Sequence, residues 1–304
     1  MATALPPSVP ARPGTSARLV NKLPPSSFFF ISAVFHYLGP AIAVLLFAHV
    51  SALGVMWLRI ATAAAAFALW RRPWRVLARL DRRQLAALGA LGVLLAVMNS
   101  VFYLAVARLP LATVGAIEFL GTVVLATLGV RTLRNAAALA LTVGGVALLT
   151  ALKLTAQPLG FVLAFANCAA FMGYVVLGHR IANSRTASPA ATAGIDQLGS
   201  AMIIAAVIAT PVGFAGAFPA FSHPPWLAWG IAVGVCSSVI PYVTDQLAMA
   251  RLPRATFALM LALLPACAAV IGALVLRQIP GPGELAGIAL VIAGLLAHQD
   301  ASQR

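Results

Sequence analysis

The tetrapeptide "ARLP" stands at residues 107–110 and again at residues 250–253, an offset of 143 positions. An apolar run precedes each copy, and a run rich in small apolar residues follows it. Four shared residues mean little alone in a chain so rich in Ala and Leu. The composition around them, and the number of apolar segments between them, give the repeat its weight.

Of the 304 residues, 62% are hydrophobic and only 9% are charged. Soluble domains carry roughly 25% charged residues, so this chain lacks the means to cover a water-facing surface and is expected to be a polytopic membrane protein. The formal net charge of +14 reflects only six acidic residues, set against arginines that punctuate the apolar runs. Basic residues in that position follow the orientation rule of membrane insertion, and nucleic-acid binding is not expected. Cys168, Cys236 and Cys267 all lie inside apolar runs without metal-ligand spacing, so they read as small buried hydrophobes.

A helix needs roughly 20 mostly apolar residues to cross the hydrocarbon layer. That ruler predicts ten spans, near 27–48, 51–70, 85–106, 111–130, 133–152, 158–179, 195–216, 225–249, 254–276 and 282–299. With the N-terminus inside, cytoplasmic segments hold 16 Lys and Arg residues and the outer connections hold three, Arg108, Lys153 and Arg277. This asymmetry predicts cytoplasmic termini. Residues 1–26, rich in Pro and Ser, form a tail expected to be disordered, and 300–304 form a second cytoplasmic tail.

Five spans separate the two copies of the tetrapeptide, and an odd number of crossings puts them on opposite sides. The expected fold is therefore an all-α integral membrane protein of ten transmembrane helices, arranged as two inverted five-helix repeats over 27–153 and 158–299. Each Pro sits where a helix begins and its missing N–H costs nothing. Inverted repeats can exchange conformations and open a central site to each side in turn.

Three stretches resemble a known family. They are "WLRIATAAAA" at 57–66, "MNSVFYLAVARLPLATVGAIEFLG" at 98–121 and "PYVTDQLAMARLPRATFALMLALLPACAAVIGA" at 241–273. The chain resembles the drug/metabolite transporter superfamily, its two-repeat EamA-type members, and within those the inner-membrane threonine/homoserine exporter group. The similarity runs from about residue 39 to 294. It implies ten helices, a substrate cavity between the first four helices of each repeat, and efflux of small metabolites. The chain departs from that group's pattern at Thr122, Leu264 and the pair Arg277–Gln278.

Charges near mid-membrane cost about 2.5–3.5 kcal/mol on insertion scales and face a cavity or a partner. Arg59, Glu118 and Asp245 are the three ionisable residues expected there. Glu118 shares a helix face with Gly115 and Gly121, which leaves room beside the carboxylate. It would bind a substrate amino group or carry a proton; the alternative is a structural bond between helices. Asp245 lies one turn beyond Pro241 and Tyr242, and the resemblance implies an acidic residue at this place. The alternative for Asp245 is a screened pair with Arg251 at the cytoplasmic edge. Pro241 frees the carbonyl one turn earlier, for a cavity, water or a hydroxyl to satisfy. Arg59 wants a carboxylate, from Glu118, Asp245 or the substrate. Asn99 and Tyr103 share a face, Tyr174 lies midway along its span and Tyr242 stands one turn from Asp245, so these four are expected, with the three charges, to line a site or bond helix to helix. His36 and His179 carry no assignment.

No phosphate-binding loop and no hydrolase or metalloprotease motif occurs, so no cofactor or metal is expected. The expected function is a secondary exporter of amino acids or similar metabolites in a bacterial cytoplasmic membrane. Its partners would be the substrate, protons and the bilayer, and the sequence leaves a homodimer open. A facilitator with a structural Glu118, or a lipid-handling protein using the arginine-rich stretch 71–83, are the alternatives.

Overall fold

The structure, a computed structural model, describes residues 25–78, 80–129, 132–151, 157–182, 193–249 and 264–297. Every regular element among these residues is a helix. In order they are α1 (Pro25–Leu46), α2 (Ala52–Arg71), a single turn (Trp74–Leu77), α3 (Arg82–Val106), α4 (Leu111–Gly129), α5 (Leu133–Ala151), α6 (Pro158–Ala182) and α7 (Ala193–Ser222). Then come α8, built from Pro224–Gly234, a π turn Val235–Val239 and Ile240–Met249, and α9 (Leu264–Leu276) and α10 (Pro282–Ala297). In hydrocarbon every backbone N–H and C=O needs an internal partner, and a helix supplies one within its own segment. Five of the helices are long and apolar enough to cross a bilayer, from 20 to 29 residues, and five apolar helices are shorter. Large apolar side chains such as Leu69, Val207 and Leu274 point outward, as an integral membrane protein requires. The tails at 1–24 and 298–304, the second "ARLP" with Arg251, and the first part of the expected ninth span lie outside the described residues.

Local signals set the helix ends. Ser51 caps α2 by accepting the Gly54 N–H at 3.1 Å, and Arg72, left-handed at φ 50°, stops it before Pro73. Asp81 and Gln84 form a reciprocal capping box at the start of α3. α4 opens directly after Pro110, and its first N–H, on Leu111, donates to Gln278 Oε1 at 3.1 Å. Gln278 follows the end of α9, so this contact ties two distant parts of the chain.

α2 lies along α7, and α5 lies along α10. Between α2 and α7, Gly54 faces the backbone of Gly216 and Trp57 Nε1 donates to Thr210 Oγ1 at 2.9 Å. At one end of this pair Arg71 grips Asp196 with both arms, at 2.6 and 3.0 Å. α3 packs on α6 and α7, while α8 packs on α1 and α2. α4 touches α9, and these contacts bring the polar residues of the spans together.

Candidate functional site

The site begins with a missing donor. Pro241 has no N–H, so the carbonyl of Ser237, four residues earlier, has no α-helical partner. The chain answers with the π turn Val235–Val239, in which the Ile240 N–H reaches back to the Val235 carbonyl. The freed Ser237 carbonyl accepts a hydrogen bond from Arg59 Nη2 at 3.1 Å, and Arg59 Nε donates to Ser238 Oγ at 2.9 Å. α1 comes close enough to support this arrangement because Gly39 faces Ser237. A Cβ there would lie 2.7 Å from the Ser237 backbone nitrogen and 2.9 Å from its Cα.

Arg59 is 7% exposed. Its guanidinium sits 5.5 Å from the centre of the Tyr103 ring, a cation–π distance. It stands within electrostatic reach of Glu118, Tyr242 and His36. Among the described residues it forms no ion pair within 4.0 Å. The expected protein carboxylate partner is thus replaced by a hydroxyl and a carbonyl, because Pro241 releases a strong acceptor where the guanidinium lies.

Glu118, on α4, is also 7% exposed. Asn167 Nδ2 on α6 donates to its Oε2 at 3.2 Å, and the Tyr37 hydroxyl from α1 lies nearby. Gly115, one turn back, leaves the space that Tyr37 enters, since a Cβ there would come 2.9 Å from that hydroxyl. The Gly121 face meets Met172 and Cys168 of α6. Asp245, less buried, neighbours Ser32, Tyr174 and Tyr242, and Ser32 Oγ lies 3.5 Å from the Pro241 carbonyl. Tyr174 stacks on Phe171.

Six of the seven residues marked in the sequence therefore come together: Arg59, Tyr103, Glu118, Tyr174, Tyr242 and Asp245. Asn99 differs. It is buried, and its Nδ2 donates to the Leu95 carbonyl of its own helix at 2.8 Å. The sequence reading omitted Tyr37, Asn167, Ser237 and Ser238 and left His36 unassigned. The signals for them were an Asn inside "FANCAAF" and a Ser pair four and three residues before Pro241.

A second polar feature lies where α4 begins. A cavity of about 270 Å³ is lined there by Pro110, Thr113, Arg277, Gln278 and Glu284, among others. It is bounded by the Gln278–Leu111 contact and is distinct from the cluster around Arg59.

Comparison with known proteins places this geometry. Residues 158–297 match the EamA-like transporter family. Over 258 residues the chain is 32% identical to the threonine/homoserine exporter RhtA of Escherichia coli K12, covering 84% of each chain. The exporter RhtA of Salmonella typhimurium SL1344 is 32% identical over 261 residues, covering 84% of this chain and 85% of that one. A solved crystal structure of 17% identity shares the fold, with a TM-score of 0.59 over 91% of this chain and 99% of the other. A helical membrane protein with these relatives is a membrane transporter, and the chain belongs to the EamA-like transporter family, in the group of the RhtA exporters.

Proposed function

We propose that the chain is a secondary exporter of threonine-like amino acids or related small metabolites, driven by protons across a bacterial cytoplasmic membrane. The observation that carries the mechanism is Glu118, a buried carboxylate bonded to a neutral amide rather than to a cation. Such a group holds either a proton or a substrate cation at low cost, and exchange between the two couples their movements. Asp245 is the second candidate for the same task, with Tyr174 and Tyr242 beside it. Arg59, Tyr103 and, less directly, Asn99 complete the polar wall. The relatives named above are exporters of threonine and homoserine, which supports the substrate class.

Movement comes from ten spans in two inverted repeats. Helix pairing supports this reading: exchanging each helix with the one five places away turns α3 on α6 and α7 into α8 on α1 and α2. The pairs α2 with α7, α5 with α10 and α4 with α9 map onto themselves. Rocking of the halves would expose the cluster to each side in turn.

The test is proton-dependent threonine uptake into inverted membrane vesicles. Glu118→Gln is expected to abolish the response to an imposed pH gradient, with Asp245→Asn reducing it or leaving it intact. Transport that keeps its full gradient dependence in both variants would remove the carboxylate mechanism. Downhill flux that ignores the gradient in the unmodified protein would favour a facilitator.

A further inference from the structure

Around Arg59 and Glu118, four buried side-chain atoms lack a well-formed hydrogen bond. They are the hydroxyls of Tyr37 and Tyr103, Ser237 Oγ and Asn167 Oδ1. Buried polar atoms are paired in roughly 90% or more of cases, and each exception asks for a reason. These four come from four different helices, α1, α3, α8 and α6, yet each borders one of the same two charges. Tyr103 lies under the guanidinium, and its hydroxyl is near enough to Ser237 Oγ and to Arg59 for weak hydrogen bonds, though neither has good geometry. The Ser237 carbonyl binds Arg59. Asn167 holds Glu118, and Tyr37 lies within reach of the same carboxylate.

The atoms also sort by chemistry. At the Arg59 end are hydroxyl donors, Tyr103 and Ser237, and a guanidinium bonded to neutral groups alone: Ser238 Oγ, the Ser237 carbonyl and, at its edge, the hydroxyls of Tyr103 and Tyr242. At the Glu118 end is an additional acceptor, Asn167 Oδ1. Its orientation is fixed because the other amide atom, Nδ2, donates to the carboxylate. The two charges feel each other but are not in contact. Donors gathered about a cation, and acceptors about an anion, complement a ligand that carries both charges.

We propose that this cluster binds one zwitterionic α-amino acid lengthwise, its carboxylate on Arg59, Tyr103 and Ser237 and its ammonium on Glu118 and Asn167. Tyr37 stands at the ammonium end, admitted by Gly115. The inference rests on the exporter reading above and adds which residues hold each end of the substrate. It also gives coupling a physical form: ammonium and proton compete for the same carboxylate, so loading one releases the other.

The experiment is equilibrium binding to the full chain in lipid nanodiscs, with L-threonine, L-threonine methyl ester and N-acetyl-L-threonine as probes. The unmodified protein should bind the ester and the N-acetyl compound at least tenfold more weakly than threonine. Tyr103→Phe and Ser237→Ala should weaken threonine severalfold and leave the ester unchanged. Asn167→Ala should weaken threonine and the ester equally and leave the N-acetyl compound unchanged. These variants remove single polar atoms or a short side chain, so they keep the test readable should Arg59→Gln fail to fold.

A Tyr103→Phe protein that loses threonine and the ester by the same factor would overturn the proposal. So would absence of binding to threonine, homoserine and phenylalanine alike. Proton-driven amino-acid efflux in vesicles with variants that do not sort by charge would end this inference and keep the exporter reading. Variants that sort as stated, in a protein that moves no amino acid, would end the exporter reading and keep the site.

Discussion

Pro241 shows how one residue can shape a site without touching a ligand. It deletes a donor, the helix widens into a π turn, and the liberated Ser237 carbonyl receives Arg59. Arg59 then needs no carboxylate partner, which leaves its charge available. Restoring the donor should reverse the sequence. In Pro241→Ala, the new N–H competes for the Ser237 carbonyl and lets the turn revert to α geometry. A hydrogen bond to a charged group contributes about 1.5–3 kcal/mol, so threonine efflux should fall at least tenfold. Thermal stability should hold or rise, since Ala suits a helix interior better than Pro by about 3 kcal/mol. Efflux at the unmodified rate would show that the π turn does not depend on the proline. A bidentate pair nearer the surface, such as Arg71–Asp196 with about a quarter of each side chain exposed, is a weaker lever, since surface ion pairs contribute about 0–1 kcal/mol.

Helix contacts decide which glycines matter, and neighbouring positions on α5 give a sharp contrast. A Cβ on Gly145 would sit 2.6 Å from the Gly287 carbonyl of α10, whereas one on Gly144 would meet nothing within 4 Å. Gly145→Ala should therefore lower stability by about 1–3 kcal/mol, as overpacking does. Gly144→Ala should be neutral or stabilising by about 0.5–1 kcal/mol through helix propensity. Melting of both variants in detergent checks this, and equal shifts would mean the α5–α10 contact can relax. The helices themselves were legible in the sequence because hydropathy reports length directly. The expected segments 133–152 and 225–249 became Leu133–Ala151 and the composite α8. Glu118 was legible too, as a lone carboxylate in an apolar run. What surrounds it was not. Asn167 and Tyr37 are small or amphipathic polar residues of a kind common in spans, and only the approach of α6 and α1 to α4 gives them meaning. The Arg59 acceptor was hidden for a related reason: Pro241 announces a free carbonyl, but its taker lies on α2, about 180 residues away in sequence.

On the scale of the whole molecule, charge and packing bear on the same symmetry. The proposed topology puts 16 of the 20 Lys and Arg residues on the cytoplasmic side, and with them the Arg71–Asp196 pair that ties α2 to α7. On the opposite side Gln278 ties the connection after α9 to the start of α4. Each tie joins one proposed repeat to the other, so the proposed rocking of the halves would break one specific contact at each end. In the proposed topology the first "ARLP" faces outward and the second faces the cytoplasm. Replacing Cys168, Cys236 and Cys267 by Ala gives a background for placing single cysteines at Arg108 or Arg251. Addition of a membrane-impermeant maleimide to intact cells should label the Arg108→Cys protein. The Arg251→Cys protein should react only after the inner membrane is permeabilised. Labelling of both from outside would put the copies in one aqueous phase. The antiparallel repeats, and with them exchange of a central site between two sides, would then lose their basis, while the family membership and the geometry around Arg59 would stand.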